Sequence, residues 1–117
     1  VHTIEHGTYL DEQAARVMRE NGTVLVPTLM ALKGVSEGLD KGIYTPVVEE
    51  KIRSVVPLMT TLVSRAREYG VEVAFGTDAG VFPHGRNGEE FALMVGQGMT
   101  SREALASATT VAARILG

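Results

Sequence analysis

Two polar side chains stand where strand-like segments end. His6 follows Ile4 and Glu5 and precedes Gly7. Asp78 follows Gly76 and Thr77 and precedes Ala79 and Gly80. A neutral imidazole and a carboxylate are common nitrogen and oxygen ligands of zinc. A carboxylate beside a metal can also hold and then move the proton of a bound water. Parallel-stranded folds build their sites at the C-terminal ends of strands, so both side chains stand where chemistry normally occurs. Each also has a plain structural reading. A lone histidine at such a place can cap the strand or bond a backbone carbonyl. Asp-Ala-Gly suits an Asx turn leading into a helix cap. Taken singly, neither residue decides between the two.

Three further basic side chains bear on the same question. His84 and Arg86 lie in the loop after Asp78, where a substrate would meet the mouth of the site. A solvated loop explains them equally well. His2 shares a strand face with His6, because side chains alternate with period two. It sits about four residues deeper, roughly 13 Å along the strand, so one metal cannot reach both. His2 is read as structural.

The elements that must carry these residues follow from pattern. Val1 to His6 reads as a strand end, broken by Gly7 and Thr8. Asp11 opens a helix through Asn21, with Ala14, Ala15, Val17 and Met18 inward and Gly22 at the C-terminal stop. Thr23 to Leu29 is a second strand, apolar on both faces as in parallel sheets. Residues 30 to 46 carry Gly34, Gly38, Gly42 and Pro46 and read as loop. A long helix follows, with Val48, Ile52, Val55, Met59, Leu62 and Ala66 on one face. Pro57 should kink or split it. Val71 to Thr77 is the third strand. Glu89 to Gly96 is a short helix. Thr100 and Glu103 have capping-box spacing and start a last helix, whose apolar face Val111, Ile115 and Leu116 extend. Strands alternating with helices imply an α/β fold with parallel strands.

Composition narrows the class. The chain has 117 residues, no cysteine and a net charge of −3. Disulfides and thiolate metal sites are therefore excluded. Lys and Arg are scattered, so no nucleic-acid partner is expected. No apolar run approaches the ~20 residues that span a bilayer, so no membrane partner is expected either. Cytoplasm is the default compartment, and a signal peptide would be lost with a missing N-terminus.

The flanks of these residues resemble a family. IEHGTYLDE (Ile4 to Glu12) is similar to the sixth strand and following loop of amidohydrolase-superfamily enzymes. VEVAFGTDAGVFPHGRNGEEFALMV (Val71 to Val95) is similar to their eighth strand and its loop. GMTSREALASATTVAARILG (Gly98 to Gly117) resembles the helices that close the barrel. The match is to the prolidase-like and imidazolonepropionase-like branch, with GTDAG and the PHG after it the most specific motifs. The resemblance implies that residues 1–117 are the C-terminal part of a (β/α)₈ TIM barrel, about its last three strand–helix units. It implies that His6 is a metal ligand, and that Asp78 both ligates metal and takes the proton of the attacking water. His84 and Arg86 would bind substrate, Arg86 as partner of a substrate carboxylate.

The implied activity is metal-dependent hydrolysis of C–N bonds, of Xaa-Pro dipeptide or similar type, on a small-molecule or dipeptide-like substrate. The implied cofactor is a divalent metal, zinc in the first place, one or two ions in the full-length parent. The family's remaining ligands lie on earlier strands: a His-x-His pair on the first and, in binuclear members, a carboxylated lysine and a histidine. None of those strands is in this chain. Two ligands fall short of the three that a catalytic zinc needs, so the isolated chain is expected to hold metal weakly and to be inactive. Two other readings remain: a stand-alone, non-enzymatic α/β ligand-binding or interaction domain, and a partial barrel that self-associates through its open edges.

Overall fold

A computed structural model describes all of residues 1–117. The first strand, β1 (Thr3–Glu5), leads through α1 (Glu12–Glu20) to β2 (Val24–Val26). The two strands pair in parallel, with Thr3 opposite Val24, Ile4 opposite Leu25 and Glu5 opposite Val26. Parallel pairing requires a crossover, and α1 supplies it. Asp11 caps this helix by accepting the Ala14 N–H at 2.8 Å. Ala15 and Met18 are its buried residues. Ala14 and Val17, expected inward, are exposed, because α1 meets the core along a narrower stripe than the pattern suggested.

The third extended segment, 71–77, lies parallel beside β2 through a bridge between Val73 and Leu25. Leu25 N donates to Glu72 O at 2.9 Å, and Ala74 N donates to Leu25 O at 2.8 Å. The expected strand Val71 to Thr77 is thus present only as one bridge. The next donor, just past β2, would be Pro27, which has no N–H, so the ladder stops there; the Phe75 N–H, on the other edge, donates to the Ser107 carbonyl at 3.1 Å. The fold is α/β with parallel strands, as expected.

Residues 30 to 46 contain a helix that the glycine count concealed. It is α2 (Leu29–Ser36). Gly34 lies inside it for packing, since a Cβ there would come within 2.7 Å of Phe82 Cβ. The long helix is split into α3 (Pro46–Met59) and α4 (Leu62–Glu68). The break falls at Thr60 and Thr61, one turn after Pro57. Then come α5 (Glu89–Gly96), α6 (Ser101–Ala108) and α7 (Thr110–Leu116). Thr100 and Glu103 form the expected capping box. The expected single last helix breaks at Thr109, whose φ of −124° and ψ of −87° are not helical. Beyond the break the apolar face is only partly covered, and Leu116 is exposed.

Leu25 shares one hydrophobic core with Met18, Leu62, Val63, Ala66 and Met94, so β2, α1, α4 and α5 all contribute to it. β1 pairs only with β2. Its flank carries an apolar groove lined by Val1, Ile4, Tyr9, Val17 and Met18 among others. No helix is long and apolar enough to cross a membrane.

Close approach fixes one glycine beside the future site. A Cβ on Gly76 would lie 2.4 Å from Val26 Cγ1, and a β-branched valine has little rotamer freedom to yield. Gly76→Ala should therefore destabilise the chain by about 1–3 kcal/mol, the usual cost of overpacking. Urea unfolding should show a lower midpoint at unchanged slope. An unchanged midpoint would mean that β2 and the third segment are not packed this tightly.

Candidate functional site at the strand ends

Each of the three parallel segments ends in a non-glycine residue with left-handed backbone. His6 after β1 has φ 64°, Thr28 after β2 has φ 46°, and Asp78 after the third segment has φ 54°. Asp and His tolerate this region better than most residues, whereas a β-branched residue there is an outlier. Strained backbone of this kind costs about 1–3 kcal/mol per residue and persists only where surrounding structure enforces it. All three lie at the same end of the sheet, which makes that end the candidate site.

The backbone twist brings His6 and Asp78 together across β2. Their Nε2 and Oδ2 atoms lie 4.0 Å apart, with both side chains about half exposed. Both were expected at the strand ends on one concave side, where an intervening strand meant that they need not touch. Both side chains leave left-handed backbone and approach to 4.0 Å.

Thr28 sets the chemistry of the His6 ring. His6 Nδ1 lies 2.6 Å from Thr28 Oγ1, while the Thr28 hydroxyl donates to the Pro27 carbonyl at 2.8 Å. A hydroxyl has one proton; given to the Pro27 carbonyl, it leaves Oγ1 to accept from Nδ1–H, a tautomer assigned by hydrogen-bond balance. This tautomer leaves the Nε2 lone pair free on the Asp78 side, as a metal-ligating histidine requires.

The donor pair suits a divalent cation in type and direction. A tetrahedral zinc would want donors about 3.4 Å apart, within reach of a small rotation of either half-exposed side chain. No group of three His, Cys, Asp or Glu side chains converges in this chain, so these two donors are what it offers. Beside them lies a small cavity of about 260 Å³, walled by Leu32, Val35, Val55, Met59 and Val81 among others.

The other expected residues are placed differently. Arg86 donates through Nη1 and Nη2 to the two Glu37 carboxylate oxygens at 2.8 and 2.9 Å, and through Nε to Glu89 at 2.7 Å. Lys33 also pairs with Glu89, at 2.5 Å. Arg86 and then Lys33 hold the Glu89 carboxyl down to about 2. The guanidinium thereby straps the loop to α2, and its donors are not turned toward His6. His84 is exposed, and its ring makes no hydrogen bond or ion pair. His2 stands at the opposite end of β1, its carbonyl accepting from Val24 N at 3.0 Å.

Two contributors escaped the sequence reading. Thr28 is one. The other is Glu90, wholly buried, whose two carboxylate oxygens accept the Leu29 and Met30 N–H groups at 2.9 and 2.7 Å. Burial pushes its carboxyl up to about 7, against the pull of those two amides. A signal existed: Glu90 stands four residues before the buried Met94 on one helix face.

A sequence profile of the amidohydrolase family matches residues 1–117. The chain belongs to the amidohydrolase family. An uncharacterised Mycobacterium tuberculosis protein is 40% identical over 118 residues, covering 100% of this chain and 32% of its own length. A Xaa-Pro dipeptidase solved with methionine bound in its active site is 44% identical, with a TM-score of 0.91 over 99% of this chain and 29% of its own. A prolidase solved with N-methylphosphonate-L-proline is 32% identical, with a TM-score of 0.76 over 99% and 28%. This amidohydrolase chain thus spans about a third of the relatives it matches.

Proposed function

We propose that this chain is the C-terminal part of a metal-dependent amidohydrolase barrel, supplying its sixth, seventh and eighth strand units. The full-length polypeptide would hydrolyse C–N bonds of dipeptides, Xaa-Pro among them, or of N-acyl amino acids. The observation that carries this reading is the 4.0 Å approach of His6 Nε2 to Asp78 Oδ2 at the strand ends. A stand-alone binding domain is not favoured, because the family match runs the whole length.

In this reading His6 Nε2 and Asp78 would hold a divalent metal, zinc fitting the donor set best, together with ligands from other strands. A bound divalent metal lowers the pKa of its water toward ~7. Asp78 accepts the proton of the attacking water and passes it to the leaving nitrogen. Thr28 keeps His6 in one tautomer throughout. The apolar cavity beside the pair takes a hydrophobic part of the substrate. His84 is the loop residue with a free ring to meet it, and Arg86 acts by holding that loop.

The test is hydrolysis by the purified full-length polypeptide. A panel of Xaa-Pro dipeptides, other dipeptides and N-acyl amino acids is incubated with metal-replete and chelator-stripped protein, and released amine is measured. Turnover should appear with metal, vanish without it and return on zinc addition. No cleavage of any C–N substrate by metal-replete protein would sink the proposal.

A further inference from the structure

We propose that Glu90 is a positioning residue for His6, acting through the backbone of residues 28–30. The inference rests on the reading of His6 as a ligand but concerns a residue that touches neither metal nor substrate. It begins from Thr28, a β-branched residue at φ 46°. Something must hold it there, and Thr28 makes no side-chain cap to its own helix. The first amides of α2 are instead satisfied by Glu90, one carboxylate oxygen to Leu29 N and the other to Met30 N.

The grip is specific in geometry. A two-pronged acceptor on consecutive N–H groups fixes the orientation of both peptide planes, and the first of them, between Thr28 and Leu29, sets the Thr28 ψ. That fixes the direction of the Thr28 Cα–Cβ bond, which carries Oγ1. Oγ1 is 2.6 Å from His6 Nδ1, so the carboxylate of α5 controls the ring tautomer at the end of β1. Glu90 is fully buried; as an acid it would be costly to keep there without partners. An apolar residue would serve the packing of α5 against α2, but it would leave two buried amides unpaired and Thr28 free to relax.

Substituting glutamine removes one acceptor and sets an NH₂ group against an amide N–H. If Glu90 works through Thr28, three losses should coincide. In metal-free, full-length protein labelled with ¹⁵N-histidine, the His6 signal, assigned by its absence in His6→Gln, should move from the Nδ1–H form to a tautomer mixture in Glu90→Gln. Thr28→Val should do the same. Zinc affinity, measured by chelator competition, should fall about 10–100-fold in each, the usual effect of losing a ligand's supporting partner.

The double variant should bind zinc no more weakly than the worse single one, since both changes cut the same link. Glu90→Asp, too short to span both amides, should reproduce the tautomer shift and serves where Glu90→Gln does not fold. A Glu90 variant that folds with the wild-type His6 tautomer overturns the proposal. So does multiplicative loss of zinc affinity in the double variant. The tautomer readout needs no metal. A wild-type protein that binds no zinc would therefore sink the ligand reading, while the ¹⁵N signals alone would decide the positioning role.

Discussion

Asp78→Asn in the full-length polypeptide is expected to leave the fold in place and remove nearly all turnover. Asp78 is about half exposed, and its nearest ionic neighbour is His6 at 4.0 Å. Asparagine is nearly isosteric and accepts left-handed backbone as readily as aspartate. The free energy of unfolding should therefore stay within about 0.5 kcal/mol of wild type. What disappears is a carboxylate that holds charge and takes a proton. Loss of a general base alone costs about 10²–10⁴-fold in rate, and weaker metal binding adds to that. Steady-state kinetics on metal-replete protein decide the matter. Turnover within tenfold of wild type would make Asp78 a turn residue.

His6→Ala should act in a different way. The imidazole is half exposed, so little packing is lost, although alanine is less at ease than histidine at φ 64°. His6→Asn, which tolerates that backbone, is the control for strain. Both variants lose a nitrogen ligand, so zinc affinity should fall by more than the about 10–100-fold that a supporting partner is worth. Activity should return in part at high zinc, because Asp78 and the proton path survive. Full activity at substoichiometric metal would show that His6 is not a ligand.

The two changes separate because their residues do different things. Asp78 is needed at every metal concentration, whereas His6 chiefly sets how much metal is needed. A purely structural pair would instead show parallel losses of stability, with no metal dependence in either.

Local signals carried much of the fold into the sequence. Asp11 with Gly22, and Thr100 with Glu103, mark helix ends through chemistry confined to one turn. The alternation of strand and crossover helix predicts the parallel order, and polar residues after Ile4 and Gly76 predict where the site lies. The misses were tertiary. Gly34 reads as a breaker, yet it is helical because Phe82 packs against it. Thr28 reads as one more strand former, because nothing in a sequence shows a φ of 46°. Glu90 reads as a solvated helix start, because its amide partners lie sixty residues away. Arg86 reads as a free cation, because its acceptor Glu37 caps the end of a helix hidden under the glycine count.

The three left-handed strand ends bear on any attempt to engineer this chain for robustness. A search for stabilising substitutions would rank positions 6, 28 and 78 near the top, since glycine relieves each of them at once. The same replacements would delete an imidazole, the hydroxyl that orients it and a carboxylate. In the proposed reading, stability and activity therefore pull against each other at these positions. Thermal tolerance is better sought elsewhere, for instance at the exposed Val47 and Leu116, with the register of strained residues held fixed.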